Sequence, residues 1–130
     1  MNLSTFISTA ILVLMTTSQA LGEINLSTTV HCSYQNGQII DKNTAENLNN
    51  SVPLNWSFNN LTTASGKYMS GGDSGEVMAI PISDGVAIYL PYSIGTHAFT
   101  IWTSGESIWN KQTNLRGLVY SQQFLGNCSN

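Results

Sequence analysis

The chain has 130 residues, of which only 8% are charged, and its formal net charge is −3. This length allows one domain. Its basic residues are too few and too scattered to form a patch that follows a phosphate backbone, so the composition argues against nucleic-acid binding. These residues are Lys42, Lys67, Lys111 and Arg116.

Residues 1–20 are predicted to be a signal peptide that does not belong to the fold. Residues 6–15 form an apolar run that is too short to span a bilayer. Ser18, Gln19 and Ala20 then match the small-x-small pattern of a cleavage site, although no Lys or Arg precedes the apolar run. A buried first helix is the alternative. We expect cleavage after Ala20, a single domain at residues 21–130 without a membrane span, and a secreted or periplasmic location.

The first half of the mature chain alternates between apolar and polar residues, as half-buried β-strands do. Residues 26–34 and 54–58 alternate strictly, and the second segment has a heavily aromatic face. Residues 38–51 between them are polar and rich in Asn, so a short strand, a helical turn and a long loop all remain open. A weaker strand is expected over residues 62–69, followed by a Gly-rich turn at residues 70–75.

The second half of the chain predicts two hairpins and a closing strand. An Asp-Gly turn between apolar runs is a strong hairpin signal, and a Ser-Gly turn marks the second hairpin. The predicted strands are residues 76–82, 86–90, 97–103, 106–112 and 118–125. The whole pattern indicates an all-β fold, a small antiparallel meander of seven or eight strands.

The two cysteines, Cys32 and Cys128, are predicted to form a disulfide. Two cysteines in an oxidising compartment most often pair with each other, and a pair of buried free thiols is the alternative. The bridge would tie the first strand to the last, which favours a closed barrel over a sandwich with the same alternation. A barrel of about eight strands can be filled by side chains or can hold one small ligand.

Signals of catalysis and metal binding are weak. The Gly-Asp-Ser-Gly run at residues 72–75 lacks the strand-to-helix context of a catalytic serine, and a turn explains it better. His31 lies beside Cys32 without the further ligands of a zinc site. We therefore expect no catalytic residue, no metal and no cofactor. A small hydrolase is an alternative that would need His97 or a pair of carboxylates.

Trp102 and Trp109 are the candidate ligand-binding aromatics. They lie on either side of the Ser104-Gly105 turn and could face each other across the hairpin. As a pair in the core they would only stabilise the fold. As an exposed pair they would form a platform for a sugar or an apolar ligand, in a cavity that Trp56 would also line.

Residues 64–71 read Ala-Ser-Gly-Lys-Tyr-Met-Ser-Gly, and this segment resembles the Ser-Gly-x-x-Tyr stretch of periplasmic inhibitors of c-type lysozyme. Here one residue fewer separates Gly66 from Tyr68. Those inhibitors are small exported β-barrels whose serine loop enters the lysozyme cleft. The resemblance implies that Ser65 and Tyr68 contact a cell-wall hydrolase such as lysozyme through a loop at residues 65–73.

Residues 53–128 also resemble a group of small exported bacterial β-barrel proteins of unknown function. The shared features are an early cysteine, an aromatic strand at residues 54–58, a Gly-rich turn and an ending similar to Ser-Gln-aromatic-x-Gly-x-Cys at residues 121–128. This resemblance implies a fold and export, and it implies no activity.

The sequence thus predicts an exported, non-catalytic binding protein. Its partner is an unknown small ligand or an unknown protein. Inhibition of a cell-wall hydrolase is the first alternative, and a small hydrolase is the second.

Overall fold

The computed structural model describes residues 23–130, apart from the Ser51 side chain, so the signal peptide predicted for residues 1–20 lies outside the described residues. Each of eight strands pairs antiparallel with the next, and the last pairs with the first, so the sheet is a closed barrel. The strands are β1 (Val30–Asp41), β2 (Ala45–Asn59), β3 (Ser65–Ser70), β4 (Asp73–Ile82), β5 (Gly85–Tyr92), β6 (Gly95–Trp102), β7 (Glu106–Leu115) and β8 (Leu118–Ser129). The predicted all-β meander is confirmed, and the barrel is the correct alternative. Within the described part of the chain, no helix has the length and apolar character needed to cross a membrane.

Residues 38–51, which the sequence left open between strand, helix and loop, belong mostly to two long strands. β1 continues to Asp41, and β2 begins at Ala45. The Asp41 carboxylate shapes the turn between them, because it accepts hydrogen bonds from the backbone N–H groups of Asn43 at 2.7 Å and Thr44 at 2.8 Å. These bonds hold the pKa of Asp41 below its ordinary value. β1 pairs with β2 on one side and with β8 on the other, and these backbone hydrogen bonds hold its polar second half in a strand.

Inward-facing apolar side chains fill the barrel. Tyr34 is fully buried near the centre, and burial raises the pKa of its phenol to about 12. Its hydroxyl is hydrogen-bonded to the Ser107 hydroxyl at 2.7 Å, and Ser107 donates to the Thr100 carbonyl at 2.9 Å. No buried side-chain polar atom of the described residues is left without a hydrogen-bond partner. The interior is therefore a packed core and not a channel.

One end of the barrel is covered by the chain itself, and we call it the closed end. Leu61 is buried there, and Ile24 and Leu26 pack against the core from the segment before β1. The Ile24 N–H donates to the Thr103 carbonyl at 2.8 Å, which fixes this segment over the end. The turns at the closed end are residues 60–64, 83–84 and 103–105.

At the opposite end, which we call the open end, the strands do not all extend equally far. β2 is longer than β3, and these strands pair only at residues 57–59 of β2 and 67–69 of β3. Because β3 ends at Ser70, the part of β2 before Ser57 has no partner on that side. The turns at the open end are residues 42–44, 71–72, 93–94 and 116–117.

The predicted disulfide between Cys32 and Cys128 is confirmed. The two residues are direct partners in the pairing of β1 with β8, with their Cα atoms 4.0 Å apart and 96 positions apart in the sequence. Both are buried. The bridge therefore joins the first and last strands at the seam that closes the barrel.

Removal of this disulfide should destabilise the fold. Replacing Cys32→Ala and Cys128→Ala together should lower the free energy of unfolding by about 4–5 kcal/mol, because the unfolded chain regains the entropy of a long closed loop. Urea denaturation measures this difference, and non-reducing peptide mapping of the wild-type protein should recover the Cys32–Cys128 peptide. An unchanged free energy of unfolding would contradict the role given to the bridge.

Gly126 lies directly opposite Tyr34 at the same seam. A β-carbon at Gly126 would overlap the Tyr34 ring and the Ser33 carbonyl, so no larger residue fits without movement. Gly126 thus gives Tyr34 the space in which its ring enters the core.

Gly126→Ala should therefore lower the free energy of unfolding by about 1–3 kcal/mol through overpacking. Gly72→Ala is the matched control, because a β-carbon at Gly72 would meet nothing within 4 Å. Thermal or urea unfolding compares the two variants with the wild type. Equal stability of the two variants would show that the close contact between Gly126 and Tyr34 does not constrain the fold.

Candidate functional site

A pocket of about 410 Å³, which we call the hollow, opens at the open end of the barrel, where β3 ends beside β2. It exists because β3 stops before it can cover the first part of β2. Four elements contribute its lining, which combines an apolar floor with a polar rim. The lining residues are Pro53, Leu54, Asn55, Trp56, Ser70, Gly71, His97, Trp109 and Lys111.

The floor of the hollow is a cluster of aromatic rings. The ring centroid of Trp56 lies 5.4 Å from that of Trp109 and 5.2 Å from that of His97. Tyr68 adds a further ring, with its centroid 5.5 Å from that of Trp56. Trp56 and Trp109 are only 7% and 5% exposed, so each presents a small part of its surface to the hollow. Rings held by several ring neighbours form a rigid apolar surface for a ligand.

His97 is neutral in this setting. Its ring is half-buried and stacks on Tyr92, with the ring centroids 4.7 Å apart. Burial and the positive charge of Lys111 lower the pKa of His97 to about 4. The Trp109 indole N–H donates to His97 Nδ1 at 3.2 Å, and because an indole nitrogen only donates, the imidazole proton lies on Nε2.

The rim of the hollow is polar and carries one charge. Lys111 lies directly opposite His97 in the pairing of β6 with β7, and its ammonium is 5.8 Å from the centroid of the Tyr92 ring. Ser70 donates a hydrogen bond from its hydroxyl to the Asn55 carbonyl at 2.9 Å, which ties the end of β3 to β2. None of the lining residues is acidic.

The structure separates the two tryptophans that the sequence analysis placed together. Trp109 lies opposite Phe99 with its side chain in the core, whereas Trp102 lies opposite Gly85. The expectation that Trp102 faces Trp109 is therefore wrong. The cause is the loop at residues 103–105, which has three residues where the sequence suggested a two-residue turn. A shift of one residue in register moves a side chain to the other face of a sheet.

Trp102 belongs to the outer surface of the barrel near the closed end. It is half-buried and lies two strands away from Ile82, with Gly85 between them. Met78 and Ile80 on β4 and Tyr89 on β5 are also exposed on the outside of the sheet. Trp102 therefore makes no contribution to the hollow.

The segment at residues 65–73 is not a loop, so that part of the prediction is wrong. Ser65 begins β3, and the turn at Gly71 and Gly72 joins β3 to β4 in a tight hairpin. Ser65 is exposed, but it lies about 20 Å along the strand from the turn at the open end. Tyr68 points toward the aromatic floor, and its hydroxyl donates to the Asp73 carboxylate at 2.9 Å. Contact of these residues with a protein partner stays a prediction.

Several residues that line the hollow were not predicted to belong to a binding site. Trp56 was expected to line a cavity, but Leu54 was treated only as a member of an aromatic strand and Lys111 only as a scattered cation. Ser70 was assigned to a turn. The hollow depends on where β3 ends relative to β2. The sequence of one strand does not indicate how long its neighbouring strand is.

A second depression of about 640 Å³ lies across the outer face of β1, β8, β7 and β6 at the open end. Ile40, Ser121, Gln112 and Thr96 form a row of register partners along its base. It is larger than the hollow, but Tyr120 is its only aromatic lining residue. The smaller hollow is the better candidate site, because its rings and polar groups converge.

No protein-family model matches the chain, and no curated protein or solved structure is significantly similar to it. Among residues 23–130, no three His, Cys, Asp or Glu side chains are grouped so that they could hold a metal ion.

The half-buried, neutral His97 should make the stability of the protein depend on pH. In the unfolded chain its pKa returns to the ordinary value of about 6.5, whereas in the folded protein it is about 4. Between these values the unfolded chain binds more protons, so the stabilisation is complete above about pH 6.5 and is lost as the pH falls toward 4.

The melting temperature of the wild-type protein should therefore fall between pH 7 and pH 5, and His97→Phe should reduce this fall. His31→Phe is the matched control, since it removes an imidazole that is exposed on β1 and lies outside the hollow. Differential scanning calorimetry at both pH values measures the effect. An identical pH dependence in the wild type and His97→Phe would contradict the neutral state of the half-buried His97.

Proposed function

We propose that this protein is an exported binding protein that holds a small ring-bearing ligand, a sugar or an apolar ring, in the hollow at the open end. The observation that carries the proposal is the aromatic floor of Trp56, Trp109 and His97 in a hollow of about 410 Å³. Sites for small molecules commonly have volumes of about 300–1,000 Å³, with an apolar lining and a few polar groups.

Export is supported by two observations. The disulfide between Cys32 and Cys128 is of a kind that persists in oxidising compartments such as the periplasm or the extracellular space. Residues 1–20 have the pattern of a signal peptide. A secreted or periplasmic location accounts for both.

Binding without catalysis is favoured by the state of His97. A general base works best when its pKa lies near the operating pH, and the pKa of His97 is about 4. Its Nδ1 already accepts the Trp109 N–H. The lining also has no carboxylate for glycoside hydrolysis. These features support a binding site that holds its ligand unchanged.

Inhibition of a cell-wall hydrolase stays an alternative proposal. The turn at Gly71 and Gly72 is exposed and borders the hollow, so a protein partner at the open end would cover the same surface. Ser65 would lie outside such an interface. A protein inhibitor would therefore use the tip of the hairpin and not the serine of the resembling motif.

Narrowing the hollow should weaken ligand binding. Leu54 lines the hollow and is 38% exposed, so Leu54→Phe adds volume inside it without replacing a fully buried residue. Two probes cover the two ligand types: 8-anilinonaphthalene-1-sulfonate for an apolar ring, and N-acetylglucosamine oligomers for a sugar. Isothermal titration should show binding of at least one probe to the wild type, and at least about a tenfold loss of affinity in Leu54→Phe.

Leu125→Phe is the matched control, because Leu125 is exposed on the outer face of β8 and lies away from the hollow. It should bind the probes as the wild type does. Equal binding by Leu54→Phe and the wild type would place the ligand elsewhere, and no binding of either probe by the wild type would count against the proposed function.

A further inference from the structure

We propose that the ligand of the hollow carries an acidic group beside its ring and that the Lys111 ammonium binds this group. The inference rests on the proposed function, since it names the class of ligand for the same site. It is carried by the placement of one lysine among aromatic rings and by the absence of acidic residues from the lining.

The placement of Lys111 follows from the register of the sheet. Lys111 pairs with His97 on one side and with Gln122 on the other, and it lies two residues after Trp109 on the same face of β7. Its side chain therefore belongs to the face that carries the aromatic floor. Lys111 is half-buried and lines the hollow.

The hollow is positively charged, whereas the chain as a whole has a negative net charge. The protein has seven acidic and four basic residues, yet the lining of the hollow contains one basic residue and no acidic one. The Asp73 carboxylate accepts the hydrogen bond of Tyr68 and is not part of the lining. A positive site in an otherwise acidic protein selects for an anion.

The surroundings of Lys111 strengthen its attraction for an anion. The Tyr92 ring lies 5.8 Å from its ammonium, and the His97 ring opposite is uncharged. A charge beside apolar rings is less well screened than a charge in open water, so its interaction with a bound anion is stronger. Lysine acts on such a group as a point charge with three donors.

The size of the hollow and the position of the charge define the ligand class. The aromatic floor provides contact area for one ring, and Lys111 lies on the rim of the same hollow, so the acidic group must be attached close to that ring. Two kinds of molecule share this chemistry. They are sugars with a carboxylate, such as uronic acids, and aromatic carboxylic acids.

Matched pairs of probes test the proposal. Glucuronic acid is compared with glucose, and indole-3-acetate with indole-3-acetamide, so that each pair differs in charge and keeps its ring. The acid of one pair should bind the wild-type protein about tenfold more tightly than its neutral partner, which corresponds to about 1.4 kcal/mol. The pair that shows the preference identifies the ligand as a sugar acid or an aromatic acid.

Lys111→Met removes the charge and keeps most of the aliphatic stem, so it should abolish the preference for the acid over its neutral partner. Lys67→Met is the matched control, because Lys67 is exposed on β3 outside the hollow, and it should keep the preference. Melting temperatures of both variants confirm that they are folded.

The outcomes separate the two proposals. Equal affinity for the acid and the neutral probe, or a preference that persists in Lys111→Met, overturns the acidic-ligand inference and leaves the hollow as a binding site. Absence of binding by all four probes counts against the hollow itself, and so against both proposals.

Discussion

The pairing of the last strand with the first is the constraint on which the rest of the structure depends. β8 pairs with β1 over residues 120–129, and the Cys32–Cys128 bridge fixes the two strands at one pair of opposed positions. Without this seam the sheet would be open, with two unpaired edges and an exposed aromatic interior. Gly126 belongs to the same seam, because its missing side chain leaves the space that the Tyr34 ring occupies. Closure and core packing are thus achieved by the same residues.

The hollow is a consequence of unequal strand lengths within this closed sheet. A strand can end early without opening the barrel if its neighbours stay paired on their other sides, as β2 stays paired with β1 while β3 stops at Ser70. Trp56 and Trp109 each present a small part of their surface to the hollow at the open end. The same rings support the core below, so the floor of the site cannot shift without disturbing the fold.

The fold could be predicted from the sequence, but of the site only the two tryptophans Trp56 and Trp109 could be named. Alternation along residues 26–34 and 54–58 reports which side chains face inward, and the position of Cys32 and Cys128 reports which strands meet. Neither signal reports register. The loop at residues 103–105 has one residue more than the sequence suggested, and this residue moves Trp102 from the inside to the outside of the sheet. A site built from four elements depends on several such details at once.

The free part of β2 has a further consequence for how the protein behaves beside other chains. Backbone N–H and C=O groups without a neighbouring strand are a template onto which another polypeptide can add. Here Pro53 supplies no N–H, and a bulge between Tyr34 and Asn36 interrupts the pairing of β1 with β2. Such irregularities deprive an incoming strand of a straight row of hydrogen-bond partners. The sheet can therefore leave its main chain bare beside the hollow while offering little on which an aggregate could grow.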